Sequence, residues 1–150
     1  MQTDGTINRK ALGEIVFNDK KQLERLDKIM YTPMIVRLGR ELYGKSGLIL
    51  VNAALIAEAD LGYLCNNNVV LIGVDKPSQK RRLEGRNLDS EQIQRRLGCQ
   101  YSYSQKREYL ENAIQRDKNG IIFEINNSDG TGLEKIENLF EQVTKELKVK

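Results

Sequence analysis

Three short, nearly unbroken apolar runs constrain this chain more than any other feature: Gly47-Leu-Ile-Leu-Val51, Val69-Val-Leu-Ile-Gly-Val74 and Ile121-Ile-Phe-Glu-Ile125. A strand with one wetted face alternates apolar and polar residues, whereas a strand covered on both faces does not. The stretches between the runs carry helical spacing instead. Asn18 and Asp19 can cap a helix over about 19–30, with Leu23, Leu26 and Met30 on one face. Thr32-Pro33 reads as a second helix start, and Met34, Leu38 and Leu42 carry that helix to about Tyr43. Further helices are predicted over about 77–86, 90–100, 104–117 and 131–147. The last has a stripe of Leu133, Ile136, Leu139, Phe140 and Val143. Buried runs alternating with helices predict an α/β fold, with a partial parallel sheet of about three strands and flanking helices.

Composition narrows the chemistry. The chain has 150 residues, enough for one domain, with 39% hydrophobic and 30% charged residues. It has no histidine, which excludes His-bearing triads, His-metal sites and imidazole acid-base catalysis. Cys65 and Cys99 are too few and too far apart for a metal knuckle, and read as free thiols in a reducing compartment. No run has membrane-spanning length and no basic-plus-apolar leader opens the sequence, so the expectation is a cytoplasmic protein without a membrane partner. The net charge of +3 does not call for nucleic acid. Basic residues concentrate between Lys76 and Arg116, which suits either phosphate groups or a solvated helix face.

Residues 39–46, Gly-Arg-Glu-Leu-Tyr-Gly-Lys-Ser, match the phosphate-loop pattern G-x-x-x-x-G-K-S. That loop works when it follows a strand and opens a helix, so that backbone amides face the anion. Here a helical segment precedes the match and an apolar run follows it. The inner positions Arg40, Glu41, Leu42 and Tyr43 are bulky. The match is therefore expected to be a helix end and turn, with Gly44 near the C-cap.

Several fragments, in order, resemble the dephospho-coenzyme A kinase family. Asp4-Gly5-Thr-Ile-Asn-Arg9 through Leu12-Gly13 to Val16-Phe17 is similar to its D-G-x-I-D-R-x-x-L-G-x-x-V-F stretch. Thr32-Pro33 and Ile35 sit where the family has I-x-H-P-x-I, and Ala54-Leu55-Ile56-Ala-Glu58 where it has P-L-L-F-E. Gln79, Arg82, Leu83 and Arg86 resemble Q-x-x-R-L-x-x-R. Glu91, Arg96, Gln100 and Lys106 resemble its helical lid, and Ile125-Asn-Asn127 its segment before the last helix. The departures are Thr32 for His, Asn52 for a strand-end Asp, Ala54 for Pro and Asn8 for Asp. The family's opening strand and phosphate loop precede the D-G-x-I-D-R stretch; only residues 1–3 precede Asp4 here, so that portion is expected to be missing.

The resemblance implies a P-loop-kinase-like fold: a single domain over 1–150, similar to the family's C-terminal two-thirds, with a lid over about 77–117. It implies ATP, with Mg2+, and dephospho-coenzyme A as ligands. Arg82 and Arg86, one helical turn apart, would grip nucleotide phosphates with Arg96 joining on closure, or would pair with Glu84 and Glu91 as ordinary surface arginines. Asn127, with Ser128, would lie by the adenine, though Asn-Ser-Asp-Gly is also an ordinary turn. Arg9 would bind an acceptor phosphate, or pair near Glu14. Glu58 would orient substrate or a magnesium-bound water, or cap a helix, and Gln100 would face the acceptor. Tyr101, Tyr103 and Tyr109 would stack on a ligand or fill a helix interface.

No catalytic residue and no metal ligand is assigned, and the chain by itself is expected to be inactive. The alternatives are a non-catalytic, kinase-derived binding module and a portion of another small-molecule kinase. In P-loop kinases the first strand lies between the strands corresponding to 48–52 and 69–74. Three outcomes are open: direct pairing of those two, exchange within a homo-oligomer, or a separate phosphate-loop subunit.

Overall fold

The computed structural model describes residues 4–85, 90–98, 100–130 and 132–149, with backbone alone at 95 and 96. These form two compact units, 1–46 and 47–150.

The first unit holds α1 (Arg9–Val16) and α2 (Lys20–Leu42), which pack on each other. Asn8, one of the departures noted above, caps α1 by accepting from the Ala11 amide at 3.0 Å. Asp19 caps α2 through the Lys21 amide at 2.8 Å. The two helices read from sequence on either side of Thr32-Pro33 are a single helix with Pro33 inside it. Proline removes one ladder bond, and Pro33 lies on an exposed stretch where water can serve the freed carbonyl. The helix ends where the G-x-x-x-x-G-K-S match lies. The Tyr43 amide donates to the Gly39 carbonyl (3.0 Å), that of Lys45 to Leu42 (3.1 Å), and Gly44 sits at φ +71°. That is a helix C-terminus, which presents carbonyls and repels anions.

The second unit is built on two parallel strands, β1 (Asn68–Gly73) and β2 (Ile121–Asn126), paired from Asn68↔Ile121 to Gly73↔Asn126. The crossover between them contains α3 (Lys76–Glu84), α4 (Ser90–Gly98) and α5 (Tyr103–Asp117), and α6 (Glu134–Glu146) follows β2. Both α5 and α6 pack on β2, whose Phe123 is buried. Leu71, Leu110 and Ala57 form the core cluster, with Ile56, Val69 and Ile122 against it.

The third expected strand is absent: among the described residues the sheet has two strands, and 48–52 joins no ladder. An apolar run becomes a strand only when a neighbour takes its backbone groups. Here β1 pairs with β2 and not with 48–52, so direct pairing of those two segments is not found.

The register is held at the strand starts. Asn67, buried and at φ +55°, donates through Nδ2 to Asp117 Oδ2 (3.0 Å) and to the Asn119 carbonyl (3.2 Å). Gly120 (φ +121°) lies so close beneath it that a Cβ would overlap the Asn67 backbone.

Candidate functional site

Parallel sheets present ligands at the carboxyl ends of their strands. β1 ends at Gly73 and β2 at Asn126, and the loops that follow are knitted together. Asp75 caps α3 by accepting from the Ser78 amide at 2.7 Å, with Pro77 in the first turn, where a missing N–H costs nothing. The Asp75 amide donates to Ser128 Oγ (2.9 Å), and the Asn127 amide to the Gly73 carbonyl (2.8 Å). Asn126 Oδ1 accepts from both the amide (2.8 Å) and the hydroxyl (2.6 Å) of Ser128. The Asp129 amide donates to Ser78 Oγ (3.0 Å), and Ser78 is only 1% exposed.

Asp129 then faces outward and takes two arginines of α3. Arg81 reaches Oδ2 through Nε (2.9 Å) and Nη2 (2.6 Å), and Arg82 Nη2 reaches Oδ1 at 3.0 Å. The Arg81 hydrogen bond is the main cause holding the Asp129 carboxyl below its ordinary value, with Arg82 adding to it. The amide of Ser78, with its hydroxyl, does the same for Asp75. Sequence reasoning picked Arg82 and Asn127 and places both here, at one end of the sheet. It missed Arg81 and Asp129. Glu84 pairs with Lys80 at 3.8 Å. Asn127 contributes its amide to the strand end while its residue surface is exposed. Arg86 lies outside the described residues, and Arg96 lies on α4 with its side chain outside them.

A second cluster surrounds Glu58, in the turn after the 48–52 segment. Its side chain is 12% exposed and lies 3.1 Å from Lys106 Nζ, itself 20% exposed. Glu58 Oε1 also accepts from the Tyr101 amide at 3.2 Å, while Lys106 donates to the Ala54 carbonyl at 3.2 Å. Glu58 Oε2 is buried with no hydrogen-bond partner among the described residues. Glu58 therefore caps no helix; it ties α5 to the turn. Gln100 precedes Tyr101 and is exposed. Tyr101 stacks on Tyr109 with ring centroids 4.8 Å apart. Tyr103 lies against Gly73, where a Cβ would come within 3.1 Å of its ring. Burial, with Glu124 nearby, raises the Tyr103 phenol above its ordinary value.

Arg9 opens α1 in the first unit and is exposed. Cys65 is a free thiol, pushed up by burial, with Sγ 3.2 Å from the Gly62 carbonyl. Among the described residues no helix is long and apolar enough to cross a membrane.

The site can be set beside known proteins. The family model described as dephospho-CoA kinase matches residues 1–121. A dephospho-CoA kinase of Dehalococcoides mccartyi is 36% identical over 124 residues, covering 78% of this chain and 61% of that protein. One of Listeria monocytogenes is 33% identical over 107 residues, covering 69% and 54%. An uncharacterized protein of Schizosaccharomyces pombe is 28% identical over 150 residues, covering 96% and 59%. The chain thus spans a little over half the length of these curated relatives. No solved structure matches it.

Proposed function

Because this chain belongs to the dephospho-CoA kinase family, we propose that residues 1–150 serve ATP-dependent phosphorylation of the ribose 3′-hydroxyl of dephospho-CoA, within cytoplasmic coenzyme A synthesis, and do not turn over by themselves. The observation that carries the second half is the end of α2. The chain's match to a phosphate-loop pattern closes a helix, with Gly44 at φ +71°, and offers carbonyls where phosphate needs amides. Phosphoryl transfer is mostly positioning and electrostatic stabilisation around the γ-phosphate. Arginines supply part of that and not the cradle.

In this reading Arg82, Arg86 and Arg96 hold the nucleotide phosphates as paired N–H donors. Asn127 lies beside the base. Arg9, Glu58 and Gln100 serve the acceptor. The buried, unpartnered Glu58 Oε2 supports a role in taking a hydrogen bond from it. Mg2+ arrives on ATP as part of the substrate. One observation favours a second reading, a kinase-derived interaction module that keeps the fold but neither takes ATP nor catalyses: Arg81 and Arg82 are already engaged by Asp129.

Calorimetry with ATP, alongside ADP release from Mg-ATP and dephospho-CoA, separates the readings. The expected result is ATP binding that Arg82→Ala/Arg86→Ala removes, with no turnover. Turnover near 1–100 s⁻¹, abolished by Lys45→Ala, overturns the assignment of 39–46 as a helix end. No ATP binding at millimolar concentration leaves the non-catalytic module.

A further inference from the structure

We propose that Lys106 is a positioning residue for acceptor binding: it grips the Glu58 carboxylate by one oxygen, so that the other is kept for a neutral hydroxyl or amide N–H of the acceptor. This role rests on the reading of Glu58 as an acceptor-side residue and names what sets it there.

The two oxygens of Glu58 are used unequally. Oε1 takes Lys106 Nζ at 3.1 Å and the Tyr101 amide at 3.2 Å. Oε2 is buried and has no partner among the described residues. A carboxylate oxygen shut away from water without a donor costs stability. A tie between α5 and the turn does not require that cost, since apolar side chains of similar volume join two buried surfaces as well or better. What the pair has over an apolar contact is this one acceptor still lacking a donor.

Both ends of the pair are fixed from the backbone. Lys106 directly follows the capping box of α5, in which Gln105 Oε1 accepts from the Ser102 amide at 2.9 Å and Ser102 Oγ from the Gln105 amide at 3.3 Å. Its ammonium also donates to the Ala54 carbonyl at 3.2 Å. The turn that carries Glu58 is closed by the Ala59 amide on the Leu55 carbonyl and the Leu61 amide on the Ile56 carbonyl, each at 2.9 Å. Ala57 beside Glu58 is part of the core cluster. An ammonium held at two points has little freedom, and neither has the carboxylate it grips.

The charges decide what the free oxygen accepts. Lys106 already offsets the charge of Glu58, so a second cation gains little, and a phosphate group is repelled by a carboxylate oxygen. A neutral O–H or N–H remains, and its hydrogen bond to a charged oxygen is among the stronger ones. Because Oε2 is covered, a donor reaches it when the rest of a bound molecule displaces that cover. The contact therefore favours the acceptor over small solutes.

Calorimetry of the full chain with dephospho-CoA, and separately with ATP, reads the role. Glu58→Gln should weaken dephospho-CoA binding by about tenfold or more, and Lys106→Met by a similar factor. The double variant should bind no more weakly than either single one, because the lysine acts through the glutamate. Lys106→Arg should recover most of the affinity. ATP binding should stay within about twofold in every variant. So should acceptor binding in Arg107→Met, which breaks exposed ion pairs on the same helix. Circular dichroism verifies that each variant is folded, and Lys106→Gln carries the same expectation if Lys106→Met melts below the assay temperature. Dephospho-CoA lacking both ribose hydroxyls locates the donor. If Glu58→Gln no longer matters with it, the donor is on the ribose; if it still matters, the donor is on the pantetheine arm. Lys106→Met without effect, beside a weakened Glu58→Gln, overturns the proposal and leaves the acceptor reading standing. An equal loss of ATP binding in folded variants makes the pair structural and overturns it too. No dephospho-CoA binding by the unaltered chain, or no effect of Glu58→Gln, removes the acceptor reading and the proposal together.

Discussion

Lys106→Met is the substitution that best tests how the Glu58 cluster works. Lys106 and Glu58 sit 3.1 Å apart with side chains 20% and 12% exposed, so the pair is largely out of water. Removing one partner of a fully buried pair costs about 3–5 kcal/mol, because a charge stays behind without its counter-charge. Two facts lower that figure: the residual exposure, and the Tyr101 amide that still donates to Oε1. The expected loss is about 2–3 kcal/mol, or roughly 8–15 °C in Tm for a domain of this size. Urea denaturation followed by circular dichroism reads it directly. The double variant Glu58→Leu/Lys106→Met removes both charges and should be more stable than Lys106→Met alone, with a coupling of about 1–2 kcal/mol. A Lys106→Met loss below about 0.5 kcal/mol, or additive effects in the cycle, refutes the argument. Glu58 would then be held by something other than the ion pair.

Three further outcomes are expected. Gly120→Ala should destabilise by about 2–4 kcal/mol in a urea melt, because φ is +121° and the new Cβ meets the Asn67 backbone; a change within experimental error would mean the strand starts can relax. Stability should fall on acidification below about pH 4. Asp117 is held at about 2 by Arg116 and Asn67 against an ordinary 3.8, so its contribution is complete above 3.8 and is lost as the pH drops toward 2. Asp129 and Asp75, also lowered, act in the same direction, and an acid titration of Tm with Asp117→Asn as reference checks the sign. Asp129→Asn should leave Tm nearly unchanged, since its side chain and those of Arg81 and Arg82 are 41%, 64% and 43% exposed. It should tighten ATP binding by about two- to fivefold if Arg82 serves phosphate; unchanged binding by calorimetry would make the arginine pair structural.

What could be read from the sequence followed from how local each signal is. Val69–Val74 and Ile121–Ile125 stand out as strands by their nearly unbroken apolar runs, and the ladder β1–β2 lies on them, although Ile72 stays exposed. The helices with clear caps, such as α3 behind Asp75 and α5 behind Ser102, were found near their ends. Leu48–Val51 carries the same apolar signature without becoming a strand, because pairing depends on a neighbour that composition does not report. Thr32-Pro33 looked like a helix start, and only the exposed surroundings of Pro33 let one helix run through it. The site partners were hidden by distance along the chain. Asp129 lies 47 positions from Arg82, and Asn67 lies 50 from Asp117. Asn-Ser-Asp-Gly offered a turn and gave no hint that its aspartate would hold two arginines.

The stitching of Asp75, Ser78, Ser128 and Asp129 fixes the foot of α3 to the sheet. Mechanically, α3 is a mast about 14 Å tall, stepped into a deck and stayed near its foot. Whatever pulls on Arg81 or Arg82 also pulls on the loop after β2, since both arginines end on Asp129 and its amide ends on Ser78. A load there cannot tilt the mast alone. It is shared with the second strand, which holds the base of α3 where it stands.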